Sequence, residues 1–307
     1  MDIALASLSP SSWTQYDVAL RRWWTFSKEN DLDPFSVQAS DVLRFLSSFF
    51  NTGLGYNSLN CYRSALSLLS GTDLGHDPGI RRFFKGVSRL RPSKPKYSCT
   101  WDPKIVLDFF SLTPDNDSLP LIVLSRKVVV LLALITGQRM QTLSLIRAEN
   151  IQTSDSAIYI HIPDLIKTSG PKRVQPLLRV PFFPSDPRIC AASALVEYMR
   201  RSSQLRPSTV QALFLTSTKP YRAATAQTLC RWTKEVLQEC GLDISIFSAH
   251  STRHASTSTA RKSDVDLNVI FRAAGWTSQS STFARFYDLP IAPDFSSFAE
   301  SIYNRRS

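Results

Sequence analysis

Apolar residues recur at helical spacing through the first ninety positions. Tyr16, Leu20, Trp23 and Trp24 follow Ser11 and Ser12, either of which can cap a helix. Ser40 precedes a second stripe, Val42, Phe45, Leu46 and Phe49. Gly55 precedes a third, Leu59, Tyr62, Leu66 and Leu69, with Arg63 off the stripe. The spacing predicts helices packed as a small bundle, with these aromatics as core rather than as platforms for stacking bases.

The pattern breaks at Arg91-Pro92-Ser93-Lys94-Pro95-Lys96. Prolines stop helices and the basic residues resist collapse onto a core, so this stretch reads as an exposed linker. It divides a domain of residues 1–95 from one of residues 96–307. Beyond it, residues 125–135, with the apolar run Val128 to Ile135, are predicted as a buried helix that runs into Thr136-Gly137-Gln138-Arg139. Residues 157–162 are β-branched and aromatic, hence a strand. Ser169-Gly170-Pro171-Lys172 is a turn, and residues 174–183 return as a second strand, which Pro176 and Pro181 mark as an edge. Helices are predicted over 190–202 and 225–240, with further ones starting near His250 and Asp266. Pro293-Asp294 opens a last helix with Phe295, Phe298 and Ile302 as its stripe, too short to stand without docking.

Composition narrows the function. The chain has 307 residues, 43% of them hydrophobic, enough for two cores. No apolar run reaches the ~18 residues of a membrane span, and residues 1–10 lack the basic start of a signal peptide. Cys61, Cys99, Cys190, Cys230 and Cys240 are scattered and include no C-x-x-C pair. That argues for free thiols in a reducing compartment and against a disulfide framework or zinc site. Net charge is +11, from 36 Lys and Arg against 25 Asp and Glu, which points to a polyanionic partner. Arg81, Arg82, Lys85, Arg89, Arg91, Lys94 and Lys96 fall in a stretch without one acid, a strap suited to phosphates.

Several polar residues stand where the surroundings are apolar. Arg139 follows the buried run, a poor place for an unanswered charge. His250, Arg253 and His254 fall within one helical turn, Lys167 sits on the hairpin, Gly275-Trp276 at a turn, and Tyr287 among Phe283, Arg285 and Phe286. His250 and His254 have the spacing of a zinc helix, but Ser251 stands where a zinc protease carries Glu and no third ligand is evident. No phosphate-binding P-loop, G-x-S-x-G elbow or two-metal carboxylate cluster is present.

Together these segments resemble the catalytic domain of the tyrosine recombinases, the phage-integrase family. Thr136-Gly137-Gln138-Arg139 is similar to its T-G-x-R box, His250 to His254 to H-x-x-R-H, and Ala274-Gly275-Trp276 to the later Gly-His/Trp box. Lys167 fits the hairpin lysine and Tyr287 the nucleophile. Arg-Met-Gln in the first box and Ala-Gly-Trp in the later one look most like recombinases of DIRS-type retroelements or Cryptons. The chain departs from the family at Thr142, where an acid is usual, and in a Trp276–Tyr287 gap longer by two residues.

The resemblance implies a mainly α protein: an N-terminal helical, SAM-like core-binding bundle, then a mixed, mostly helical catalytic domain with a small β hairpin or sheet. It implies DNA strand exchange without metal, ATP or other cofactor. Tyr287 attacks a backbone phosphate, Arg139 and Arg253 hold the non-bridging oxygens, and His250 serves as acid or base. Lys167 protonates the leaving oxygen, with Lys172 as second candidate, and Trp276 donates its indole N–H. Tyr303 is a weaker alternative nucleophile. Duplex DNA is the expected partner, met by Arg63, the strap, Lys172 and Arg173. Four copies would assemble on DNA, with the C-terminal helix exchanged between them, in the nucleus. The rival readings are a decayed DNA-binding protein, a type IB topoisomerase and a metal-dependent nuclease.

Overall fold

The computed structural model describes residues 7–71, 73–92, 96–170, 175–276, 283–284 and 287–291. The chain divides into two units, Met1–Pro95 and Lys96–Ser307. The first holds α1 (Pro10–Glu29), α2 (Ala39–Asn51), α3 (Tyr56–Leu66) and α4 (Pro78–Leu90). Their stripes meet in one core that includes Trp23, Phe45, Leu46, Leu59, Leu66 and Ile80. Ser9, rather than Ser11 or Ser12, caps α1: its side chain accepts from the Ser12 N–H at 3.2 Å, with Pro10 in the first helical position. Gln38 occupies the cap position of α2, which leaves Ser40 inside the first turn.

Helix α4 corrects the sequence reading of a basic strap. Asp77 caps it through the Ile80 N–H at 2.9 Å, and Pro78 starts it. Ile80, Phe84 and Val87 are its buried side, while Arg81, Arg82, Lys85 and Arg89 are exposed. As far as Leu90, the basic run is therefore one side of an amphipathic helix.

The second unit is built around α6 (Leu121–Thr136), buried almost throughout and packed by α8 (Ala191–Ser203), α9 (Ala226–Glu239) and α10 (Ser251–Lys262). Short α5 (Pro103–Ser111) and α7 (Met140–Ser144) were not foreseen; Val106 and Phe110 of α5 enter the same core. The predicted hairpin is two strands of an antiparallel sheet of three, β1 (Ile151–Thr153), β2 (Ala157–His161) and β3 (Leu177–Pro181), in that order. Ile158 pairs with Val180 and Ile160 with Leu178, which turns all four inward. Strand β3 lies at the edge, where a proline that cannot donate is tolerated.

Two left-handed glycines finish helices where the chemistry-bearing residues follow. Gly137 ends α6 at φ +60°, two residues before Arg139, and Gly275 ends α11 (Leu267–Ala274) at φ +68°, directly before Trp276. Only glycine adopts that backbone without strain. All five cysteines are free. No described helix is long and apolar enough to cross a membrane. The tail helix expected after Pro293 lies outside the described residues.

Ile80 is completely buried. Ile80→Ala should destabilise the N-terminal unit by about 2–5 kcal/mol, read as an earlier transition in urea; an unmoved transition would mean that α4 is not part of that core.

Candidate active site

His250, His254 and Ser258 are spaced by four residues and so share one face of α10, with His250 at its cap. All three meet Tyr287. His250 Nε2 lies 2.8 Å from the Tyr287 hydroxyl. The His254 ring stacks on the phenol, with centroids 4.1 Å apart and planes at 14°. Ser258 Oγ donates to the Tyr287 carbonyl. Tyr287 is buried with Ile270 and Phe283, and Trp276 packs on it at 4.6 Å between centroids. The longer gap therefore still lets Trp276 and Tyr287 meet. Residues 277–282 lie outside those described.

Arg253 has no solvent exposure. Its Nη1 donates to the Gly137 carbonyl at 2.5 Å and its Nη2 to the Ala274 carbonyl at 2.6 Å, so it bridges the C-terminal ends of α6 and α11. The guanidinium lies 4.2 Å from the Trp276 ring centroid and 5.5 Å from that of Tyr287. These two bonds occupy two of the five N–H donors an arginine offers. Its Nε is buried without a partner among the described residues, as is the Trp276 Nε1.

Arg139 is half-buried in the turn between Gly137 and α7. Thr142 is buried one turn on and brings no carboxylate to it. The turn is tied instead through Gln138, whose Nε2 donates to the Ala273 carbonyl at 2.6 Å. Lys167 is exposed in the loop between β2 and β3. Lys96, placed by sequence in the strap, belongs to the catalytic unit, where its Nζ donates to Ser248 Oγ at 3.0 Å.

The cations act on one another. Burial, then Arg139 beside it, pulls Arg253 down to about 9, against an opposing pull from Tyr287. Arg253 stays charged at neutral pH. His250 is pulled down to about 4, first by withdrawal from water and then by Arg253, Arg139, Lys96 and Lys167. Part of its surface remains exposed; the withdrawal concerns the side packed on His254 and Tyr287. The imidazole is neutral at pH 7 and can accept the phenol proton. Hence Arg139, Arg253, His250, Lys167, Trp276 and Tyr287 converge on one site.

The model of the phage integrase family matches residues 117–290, more than half of the chain and the whole of this constellation. The chain belongs to the phage integrase family. No curated protein matches it in sequence. Among solved structures, the XerH site-specific recombinase bound to palindromic difH substrate, in a post-cleavage complex, is similar at a TM-score of 0.61 and 17% identity, over 95% of this chain and 79% of that one. A lambda integrase dimer on a COC′ core site gives 0.53 and 14%, over 93% and 91%. The Tn1549 transposon integrase in complex with circular intermediate DNA gives 0.53 and 14%, over 88% and 86%. At such identities the integrase likeness shows a shared fold.

The basic residues of the N-terminal unit separate into groups. Arg63, Arg81 and Lys85 line a cavity of about 300 Å³ with Tyr56, Asn60 and Ser88. Arg82 and Arg89 are exposed on α4. Arg91 donates to the Leu54 carbonyl at 2.7 Å and covers the Phe50 ring at 4.3 Å, which ties down the end of α2. Lys94, Lys172, Arg173 and Tyr303 lie outside the described residues. Sequence reasoning missed Ser258 and the Tyr97–Ser248 pair, 2.7 Å apart beside Lys96. The eight-residue step from His250 to Ser258 was the available signal for the first; no local pattern points to the second.

Folded His250 takes its proton near 4 instead of its ordinary 6.5. The unfolded chain then binds that proton first as pH falls, so this contribution to stability is complete above pH 6.5 and lost between 6.5 and 4. A histidine-resolved NMR titration should place His250 near 4, and Arg139→Ala should raise it. An ordinary titration near 6.5, unmoved by that substitution, would refute the cationic pocket.

Proposed function

We propose that this protein exchanges DNA strands, cutting and rejoining them through a transient ester between Tyr287 and a backbone phosphate. The observation that carries the reading is the Tyr287 hydroxyl held 2.8 Å from a neutral His250 beside buried Arg253. As the Tyr287 oxygen bonds to phosphorus, its proton passes to His250 and the bond from phosphorus to the 5′ oxygen breaks. Lys167 gives the departing oxygen a proton. Negative charge gathers on the two non-bridging oxygens, and Arg139 and Arg253 answer it with planar, positively charged donors. Trp276 adds its indole N–H, which has no partner among the described residues. The ester conserves the energy of the broken bond, so a 5′ hydroxyl reverses the step without ATP.

The DNA partner rests on the +11 charge, on the exposed basic side of α4 and on the DNA-bound state of structures that share the fold. Lys94, Lys172 and Arg173 join that set from sequence. Exchange between two duplexes calls for four protomers on DNA, the C-terminal tail bridging neighbours. Integration of a mobile element of the DIRS or Crypton kind, acting in the nucleus, is the biological setting that the Arg-Met-Gln and Ala-Gly-Trp boxes support.

On a nicked suicide duplex recovered from a random-sequence pool, wild type in chelator should form a covalent protein–DNA band that Tyr287→Phe abolishes. Arg253→Ala should slow its formation by about 10²–10³-fold. A band that survives Tyr287→Phe, or that needs a divalent ion, would exclude the mechanism. Truncation after Ile291 should leave cleavage intact but weaken assembly on DNA, read by native gel; unchanged assembly would dismiss the bridging tail.

A further inference from the structure

The backbone that carries Tyr287 is held at three places. Ahead of it, the Tyr287 and Asp288 N–H groups both donate to the Phe283 carbonyl, at 2.8 and 3.0 Å. Behind it, the Thr100 N–H donates to the Pro290 carbonyl at 2.8 Å, and Thr100 pairs with Ile291. Between these ties stand the Tyr287 carbonyl and the Leu289 N–H, and one side chain serves both. Ser258 Oγ donates to the first and accepts from the second at 3.1 Å. Ser258 is wholly buried, so no water can take over either bond. A hydroxyl is among the few side-chain groups that both donate and accept from one atom.

The helix that presents Ser258 is itself fixed. Trp101 Nε1 donates to Ser251 Oγ at 2.8 Å at one end, and Ser256 donates to the Leu134 carbonyl further along. Position 258 lies two turns from His250 on the same face, so the group that takes the phenol proton and the group that holds the phenol's backbone share one rigid rod. The phenol oxygen sits at the far end of a stiff side chain, where a small backbone rotation is magnified.

Resting on the strand-exchange reading above, we propose that Ser258 is a positioning residue for the nucleophile, a buried clasp that sets the reach of the Tyr287 oxygen toward phosphorus. It touches neither DNA nor the reacting atoms. Its loss acts on the attack step and leaves DNA affinity alone.

The test is single-turnover cleavage of the suicide duplex by Ser258→Ala and Ser258→Thr, beside wild type and Lys167→Ala, with DNA binding and thermal unfolding measured on each. Ser258→Ala should cleave about 10²-fold more slowly at saturating DNA, with its DNA affinity unchanged, and Ser258→Thr should recover most of the rate. A duplex whose scissile 5′ oxygen is replaced by sulfur, a leaving group that needs no proton, should rescue Lys167→Ala but leave Ser258→Ala slow. Wild-type rates in Ser258→Ala would overturn the clasp, as would rescue by the sulfur substrate. Loss of folding or DNA affinity in both serine variants would reduce Ser258 to a structural residue and overturn it too. A wild type that forms no adduct would overturn the strand-exchange reading along with the clasp, whereas the other adverse outcomes leave that reading standing.

Discussion

A guanidinium removed from water costs several kcal/mol unless its surroundings answer the charge, and Arg253 is removed completely. What answers it is a pair of helix ends. The carbonyls of Gly137 and Ala274, where α6 and α11 stop, accept from its two terminal nitrogens. Helix C-termini carry partial negative charge, so both dipoles favour a cation there. The Trp276 face completes the enclosure. This single contact joins three helices and fixes both turns from which Arg139 and Trp276 emerge. The site's geometry therefore depends on a buried cation that no described carboxylate neutralises.

That solution leaves charge to spare. Lys127 offers the contrast within the same unit. It too is wholly buried, and its Nζ donates to Thr113 Oγ1 at 3.2 Å over the Phe110 ring. Burial pulls it down to about 8, with attraction to Asp186 and Asp115 opposing in part. Around Arg253 the neighbouring charge is Arg139, which works against it. Like charges gathered without acids raise the energy of the empty site and lower it again when an anion enters. The departure at Thr142 fits this pattern, since it withholds a carboxylate from the one place where the family usually has it.

Helices with a single buried stripe could be read directly from the sequence, because period and burial coincide: α3 begins right after Gly55 as predicted, and α2 two residues before the predicted start. α4 was hidden by its own exposed side, since Arg81, Arg82, Lys85 and Arg89 outweigh Ile80, Phe84 and Val87 in any reading weighted by charge. α5 and α7 are too short to establish a period, and β1 has three residues. The boxes around Arg139, Arg253 and Trp276 were legible because they resemble short family segments in the same order along the chain. Contacts between distant segments were not. Nothing local to Lys96 shows that it stands beside Ser248 and bears on His250, and nothing local to Ser258 shows that it meets Tyr287.

A histidine that takes its proton only near 4 is a weak base, and on that count alone His250 would be a poor acceptor for a phenol proton. After withdrawal from water, its weakness comes from Arg253, Arg139, Lys96 and Lys167, in that order. An anion among Arg139, Arg253, Lys96 and Lys167 cancels much of the field that depresses the imidazole, so His250 grows more basic as the site fills. The reacting pair is already in contact at 2.8 Å, so no motion has to bring base and nucleophile together. On the proposed strand-exchange reading, an anion relieves the part of the depression that the cations cause, while the part caused by burial stays with the fold.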